Sequence, residues 1–168
     1  MNLREKTVEL HHLAERHPLS TAMLHATVTP QQWADWLGAL FLIHYAMDDF
    51  LPDSMARAYQ IAEDLAELKV QPRFNHSAMR FIKKMTTYER ASGAGYVFNG
   101  SHLMGGIMIA RNNKHRLPVK HLEFETWLHR QQAMNDWAPF REKTELEEQV
   151  YSAFQAAISI MDEIMSYE

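Results

Sequence analysis

Apolar residues recur every three or four positions along almost the whole chain, and no alternating apolar and polar run lasts more than a few residues. A side-chain period near 3.6 cannot be served by strands, so the pattern predicts an all-α fold. Prolines and capping residues then divide the chain. The spacing predicts a first helix over 2–16, capped by Asn2, and a short one over 19–26. Thr29-Pro30 places a cap ahead of a proline at the first helical position, opening a long helix through Trp33, Leu37, Phe41, His44 and Met47 that ends before Pro52. Helices over 54–68, from Asn75 or Ser77 through Tyr88, over 120–135, and from a Thr144 capping box through Met165 complete the reading. With 168 residues, no repeat and no linker, the chain reads as one domain over 1–168.

Counting excludes several functions. Cysteine is absent, which removes disulfides, thiolate-held clusters and a cysteine nucleophile. The formal net charge of −4 offers no overall basic field for nucleic acid or anionic lipid, so neither is expected as a partner. No apolar run is long enough to span a bilayer, and the charged N-terminus does not resemble a signal peptide, so the chain reads as soluble and cytoplasmic. Ten histidines stand out, because imidazole is the side chain that titrates near neutrality and the commonest metal ligand.

Two segments carry chemistry. Five of the six glycines lie between Gly93 and Gly106, in GAGYVFNGSHLMGG, among apolar neighbours and without proline. Each glycine inside a helix costs about 1 kcal/mol relative to alanine, so such a run marks a place where backbone bends or passes close to another group. A kinked helix against a large planar ligand accounts for it; a flexible loop is the plainer alternative. On the first helix, His11 and Glu15 stand four apart, a spacing that lets the carboxylate meet one ring nitrogen and leave the other for a metal. A surface histidine in a helical ion pair has the same signature. His12 points away from this edge.

Taken together, LREKTVELHHLAE (3–15) and YVFNGSHLMGG (96–106), with LGALFLIHYAMDDF (37–50) between them, resemble the heme oxygenase family. The resemblance is good over the first 110 residues or so and weaker beyond. It implies a helical bundle with heme sandwiched between the first helix and a glycine-rich, kinked distal helix. It places the proximal iron ligand at His11 with Glu15 beside it, and Gly105 and Gly106, with Ser101, against the porphyrin. Arg4 and Tyr96 are implied as propionate contacts, with Arg130 a third. The implied activity is oxidative cleavage of heme with O₂ and electrons to biliverdin, CO and Fe²⁺, the electrons coming from a donor such as ferredoxin or a flavin reductase. For an acidic donor the candidate docking clusters are Lys83-Lys84 and Arg111, Lys114 and Arg116.

The chain departs from the family pattern at two positions expected to act in catalysis. His102 stands where many members carry an aspartate on the distal helix, and His44 where a tyrosine is common. A water-mediated role for both, delivering protons on the distal side, is the reading taken here. Two alternatives stay open: a heme carrier or sensor without turnover, and a nonheme diiron oxygenase on the same fold. For the latter, His121, Glu125 and His129 follow at spacings of four and would share a helix face, with His44, Asp48 and Asp49 as further donors, although a solvated face explains the same spacing. The ferritin-like pairing of Glu-x-x-His motifs is incomplete, and no Gly-x-Ser-x-Gly hydrolase motif occurs.

Overall fold

The computed structural model describes residues 1–114 and 116–167, and among them there is no strand. Among the described residues ten α-helices follow in order: α1 (Leu3–Lys6), α2 (Val8–Glu15), α3 (Pro18–Leu24), α4 (Pro30–Met47), α5 (Ala58–Leu68), α6 (His76–Ile82), α7 (Tyr88–Met104), α8 (Gly106–Arg111), α9 (Trp127–Trp137) and α10 (Glu147–Met165). No described helix is long and apolar enough to cross a membrane.

Local chemistry explains most boundaries. Thr29 and Gln32 form a reciprocal capping box at the start of α4, with Pro30 just inside it. Asn75, Thr87 and Thr126 cap α6, α7 and α9 through their side-chain oxygens. Other boundaries differ from the sequence reading: the helix expected through Tyr88 ends at Ile82, with Tyr88 opening α7 instead, and the one expected over 54–68 starts only at Ala58. The first helix breaks at Thr7, whose hydroxyl bonds back to the Leu3 carbonyl at 2.7 Å and competes with the helical ladder. The segment expected to form a helix from 120 makes only a 3₁₀ turn, Lys120–Leu122, and α9 waits for the Thr126 cap. Thr144 likewise heads a 3₁₀ turn, so no capping box forms there and α10 starts at Glu147 without a side-chain cap.

The core lies where α10 and α4 meet α7. Helix α10 packs against α7, α6, α2 and α4, and α4 also packs against α5, α6 and α7. Trp33, Leu37, Leu40, Ile43 and Met47 of α4 meet Val150, Phe154, Ile160 and Ile164 of α10 within one buried cluster. Burying each such side chain stabilises the fold by about 1.5–3 kcal/mol, so this layer fixes the positions of α2 and α7. Helix α3 packs against both α2 and α8 and so ties those two segments together.

Candidate functional site

Helix α7 is buried along most of its length, but one face of its C-terminal turns and of α8 is open. Ser101, Met104, Gly105 and Met108 are exposed, while His102, Leu103 and Gly106 between them are buried. These exposed positions follow a spacing of three and four, a single stripe along the helix. The break between α7 and α8 falls at Gly105.

The glycines separate by side. A Cβ on Gly93 would lie 2.5 Å from Gln149 Cβ, on Gly95 2.7 Å from Leu51 Cδ1, on Gly100 2.8 Å from Trp137 Cζ2, and on Gly106 2.8 Å from Leu122 Cδ2. Those four glycines are small because protein packs against them. Gly106, expected against a ligand, is buried on the Leu122 side. At Gly105 a Cβ would meet only the Ser101 carbonyl of its own helix, at 3.4 Å. No side chain of the described residues fills the space in front of Gly105.

On α2, His11 is half-buried, its ring edge-on to Phe154 of α10 at 5.8 Å between centroids. Its Nδ1 stands 3.4 Å from Glu15 Oε2, which leaves Nε2 uncommitted among the described residues. His12 is exposed. Tyr96 is buried on α7, its ring stacked on Trp137 at 5.7 Å, while Trp137 Nε1 donates to the Tyr96 carbonyl at 3.1 Å. Burial pushes the Tyr96 hydroxyl above its ordinary range, and the nearby cations of Arg141 and Arg4 offset only part of that rise. Arg4, Arg141 and Tyr96 thus gather one positive corner beside α7. Arg141 was missed from sequence, since it sits in the weakly matching C-terminal third and only the fold carries it there.

Ser101 is exposed and donates its hydroxyl to the Phe98 carbonyl at 2.8 Å. Arg130 reaches from α9 to donate from Nη2 to the Leu103 carbonyl at 2.8 Å, and its Nε is buried without a partner. That side chain pins α9 to α7 near the open face.

His102 turns the other way. It is only 4 % exposed, and its ring stacks on that of His44 at 5.1 Å and meets that of His121 nearly edge-on at 5.3 Å. Both imidazoles given a distal role thus lie in the core behind α7, not on its open stripe. His121 does not join Glu125 and His129 on a helix face: it is buried on the 3₁₀ turn, whereas those two are exposed and pair with each other at 3.7 Å. Among the described residues no three histidine or acidic side chains converge as metal ligands. Sequence reasoning also missed Asp64, fully buried on the stripe of α5 that carries Ile61. A carboxylate on an apolar stripe is the signal that could have found it.

No protein-family model matches the sequence, and no curated protein does. Solved structures match over nearly the whole chain. Heme oxygenase-2 from Synechocystis, solved with heme and NO, aligns with a TM-score of 0.81 at 16% identity, covering 98% of this chain and 84% of that one. Heme oxygenase from Leptospira interrogans gives 0.76 at 16% identity over 99% and 97% of the two chains. Heme oxygenase-1 from Synechocystis in complex with heme gives 0.70 at 19% identity over 99% and 90%. With an all-helical order, α2 and α7 both resting on α10, and an open glycine on the α7–α8 stripe, the chain has the heme oxygenase fold.

Proposed function

We propose that the chain is a heme oxygenase, binding heme between α2 and the open stripe of α7–α8 and cleaving it with O₂ and reducing equivalents to biliverdin, CO and Fe²⁺. The observation that carries the reading is the stripe itself: exposed Met104 and Met108 flank a glycine whose missing Cβ no protein atom replaces. Exposed apolar side chains in a row beside bare backbone fit a flat apolar macrocycle.

The remaining residues fit the same ligand. His11 presents an uncommitted Nε2 for iron, and Glu15 takes the other nitrogen and so sets its tautomer. Arg4 and Arg141, with the Tyr96 hydroxyl, supply the cations and donor that two propionates need. Arg130 acts through the helix, holding the Leu103 carbonyl and with it the register of the stripe. Heme, when bound, supplies the redox-active iron and is itself the molecule oxidised. Electrons come from a separate donor, a ferredoxin or a flavin reductase, for which exposed Lys83, Lys84, Arg111, Lys114 and Arg116 offer basic docking groups.

Hemin added to the purified protein is expected to give a Soret band that is lost in His11→Ala and regained with added imidazole. Reductant under air is then expected to convert the Soret band to bilin absorption. A Soret band that persists under those conditions identifies a heme carrier or sensor instead, and no Soret band removes heme altogether.

A further inference from the structure

Methionine is unevenly placed along this chain. Of 11 methionines, five are buried outright, and Met79, Met134 and Met165 are half-buried. Two of those covered sulfurs are also occupied: Met161 accepts from Ser20 Oγ at 3.2 Å and Met165 from Gln32 Nε2 at 3.7 Å. Only Met1, Met104 and Met108 are exposed, at 84%, 58% and 47%. Met1 lies ahead of α1, whereas the other two stand four positions apart on either side of Gly105, on the open stripe.

Leucine would give that stripe the same apolar surface. A thioether adds two properties, adaptability and a sulfur that peroxide can oxidise. A thioether has no proton to lose, so its oxidation is governed by access to the sulfur. The chain has no cysteine, and no thiol competes for the oxidant. Peroxide therefore meets its first reactive sulfurs, Met1 aside, where a ligand is expected to lie.

We propose that Met104 and Met108 form a paired peroxide-oxidation site, at which conversion of both thioethers to sulfoxides makes the stripe polar and closes it to an apolar ligand. In each step the sulfur lone pair attacks one oxygen of a hydroperoxide, the O–O bond breaks and an S–O bond forms. The other oxygen leaves as water, or as an alcohol from an organic peroxide. Sulfur loses the two electrons that the peroxide gains, so no further reactant is needed. The new sulfoxide oxygen is a strong acceptor, and a flat macrocycle laid over it strips its water. The stripe has little to give in return, because its donors are engaged: Ser101 Oγ donates to the Phe98 carbonyl, the Gly105 N–H to the Ser101 carbonyl, and the Met108 N–H to the Gly105 carbonyl. A polar atom buried without a partner opposes binding. That the excluded ligand is heme rests on the heme oxygenase reading; the selective oxidation of the pair does not. On that reading the sense is protective, since Fe²⁺ released by turnover reduces peroxide to hydroxyl radical, and a stripe that closes as peroxide rises halts the release.

The test treats the full chain, without heme, with graded hydrogen peroxide and follows each methionine by peptide mass spectrometry. Met104 and Met108 are expected to gain one oxygen each at a rate near that of Met1, before any other methionine reacts. At a dose that leaves the others intact and the helical circular dichroism unchanged, peroxide is removed and hemin is titrated. Hemin affinity is expected to fall by about tenfold or more, and methionine sulfoxide reductases are expected to restore it. In a double variant, Met104→Leu with Met108→Leu, the same treatment is expected to leave that variant's own affinity where it was. Met104→Gln with Met108→Gln, which imitates the oxidised pair, is expected to bind hemin more weakly than wild type before any treatment, and serves if the leucine variant does not fold. Oxidation of Met79 or Met134 ahead of the pair, unchanged hemin affinity after oxidation, or an equal loss in the leucine variant overturns the proposal. A protein that binds no hemin before treatment removes the heme reading. The switch is then judged with the apolar dye anilinonaphthalene sulfonate, whose binding is expected to fall on oxidation and whose unchanged binding overturns it.

Discussion

The two sides of α7 use the same kinds of residue for opposite ends. On the buried side, glycines at 93, 95, 100 and 106 let Gln149, Leu51, Trp137 and Leu122 approach the backbone, and His102 enters a polar core. On the open side Gly105 meets no side chain, and Met104 and Met108 stand in solvent. A count of glycines therefore does not locate a ligand site. A glycine matters for binding only when the volume its Cβ would fill is left empty by the protein, and here one of five in the run meets that condition.

The largest effects are expected on the buried side. Gly93→Ala would put a Cβ 2.5 Å from Gln149 Cβ and 2.7 Å from its carbonyl carbon, a clash with backbone that side-chain rotation cannot relieve. Helices α7 and α10 must then separate, and a loss of about 3 kcal/mol is expected from overpacking. Urea denaturation reads it directly; a loss under 1 kcal/mol would mean that the α7–α10 contact is not the rigid centre of the core.

Next comes Asp64→Ala, which strips acceptors from the N–H groups of Lys120 and His121 and from the His121 ring at once. Buried donors left unpaired cost about 1–3 kcal/mol each, so a total of about 2–3 kcal/mol is expected after partial relaxation. Asp64→Asn, which keeps one acceptor oxygen, is expected to lose less.

How much of this was legible beforehand follows from the range of each interaction. The Thr29 cap with Pro30 behind it and the helical class lie within a few residues of sequence, and they match the structure, whereas the capping box expected at Thr144 does not form. The helix expected over 120–135 was misread because Asp64, 56 and 57 residues away, accepts the N–H groups of Lys120 and His121 and stabilises a 3₁₀ turn instead. The four packed glycines were indistinguishable from Gly105 in the sequence, since what separates them is Trp137, Leu122, Gln149 and Leu51 on other segments. Tyr96 and Arg4 were named from the resemblance, whereas Arg141 needed the chain to return beside them.

The pH dependence of stability tests the polar core as a whole. Folding holds His102 and His121 below the usual imidazole value, so as pH falls below about 6.5 the unfolded chain takes up protons that the native state refuses. Stability is therefore full above that pH and is lost on acidification, by about 1.4 kcal/mol per pH unit for each histidine until its native value is reached. His102→Leu is expected to flatten the slope by one histidine's share. A slope unchanged in that variant would place the protons elsewhere.

The smallest effect in stability is expected at Gly105, and it has the opposite sign to Gly93. Gly105 has φ −75° and ψ −30°, a helical conformation that alanine adopts without strain, and its Cβ would meet only the Ser101 carbonyl at ordinary contact distance. Gly105→Ala should therefore gain about 0.5–1 kcal/mol by restricting the unfolded chain. If the open stripe exists to hold a flat ligand, the same methyl occupies ligand space, so hemin affinity should fall while the apo protein becomes more stable, and Gly105→Val should extend the trend. Calorimetric melting and hemin titration on the two variants separate the effects. A more stable protein with unchanged hemin affinity would mean that the empty volume before Gly105 is not where the ligand lies, and the contrast between the two sides of α7 would then concern packing alone.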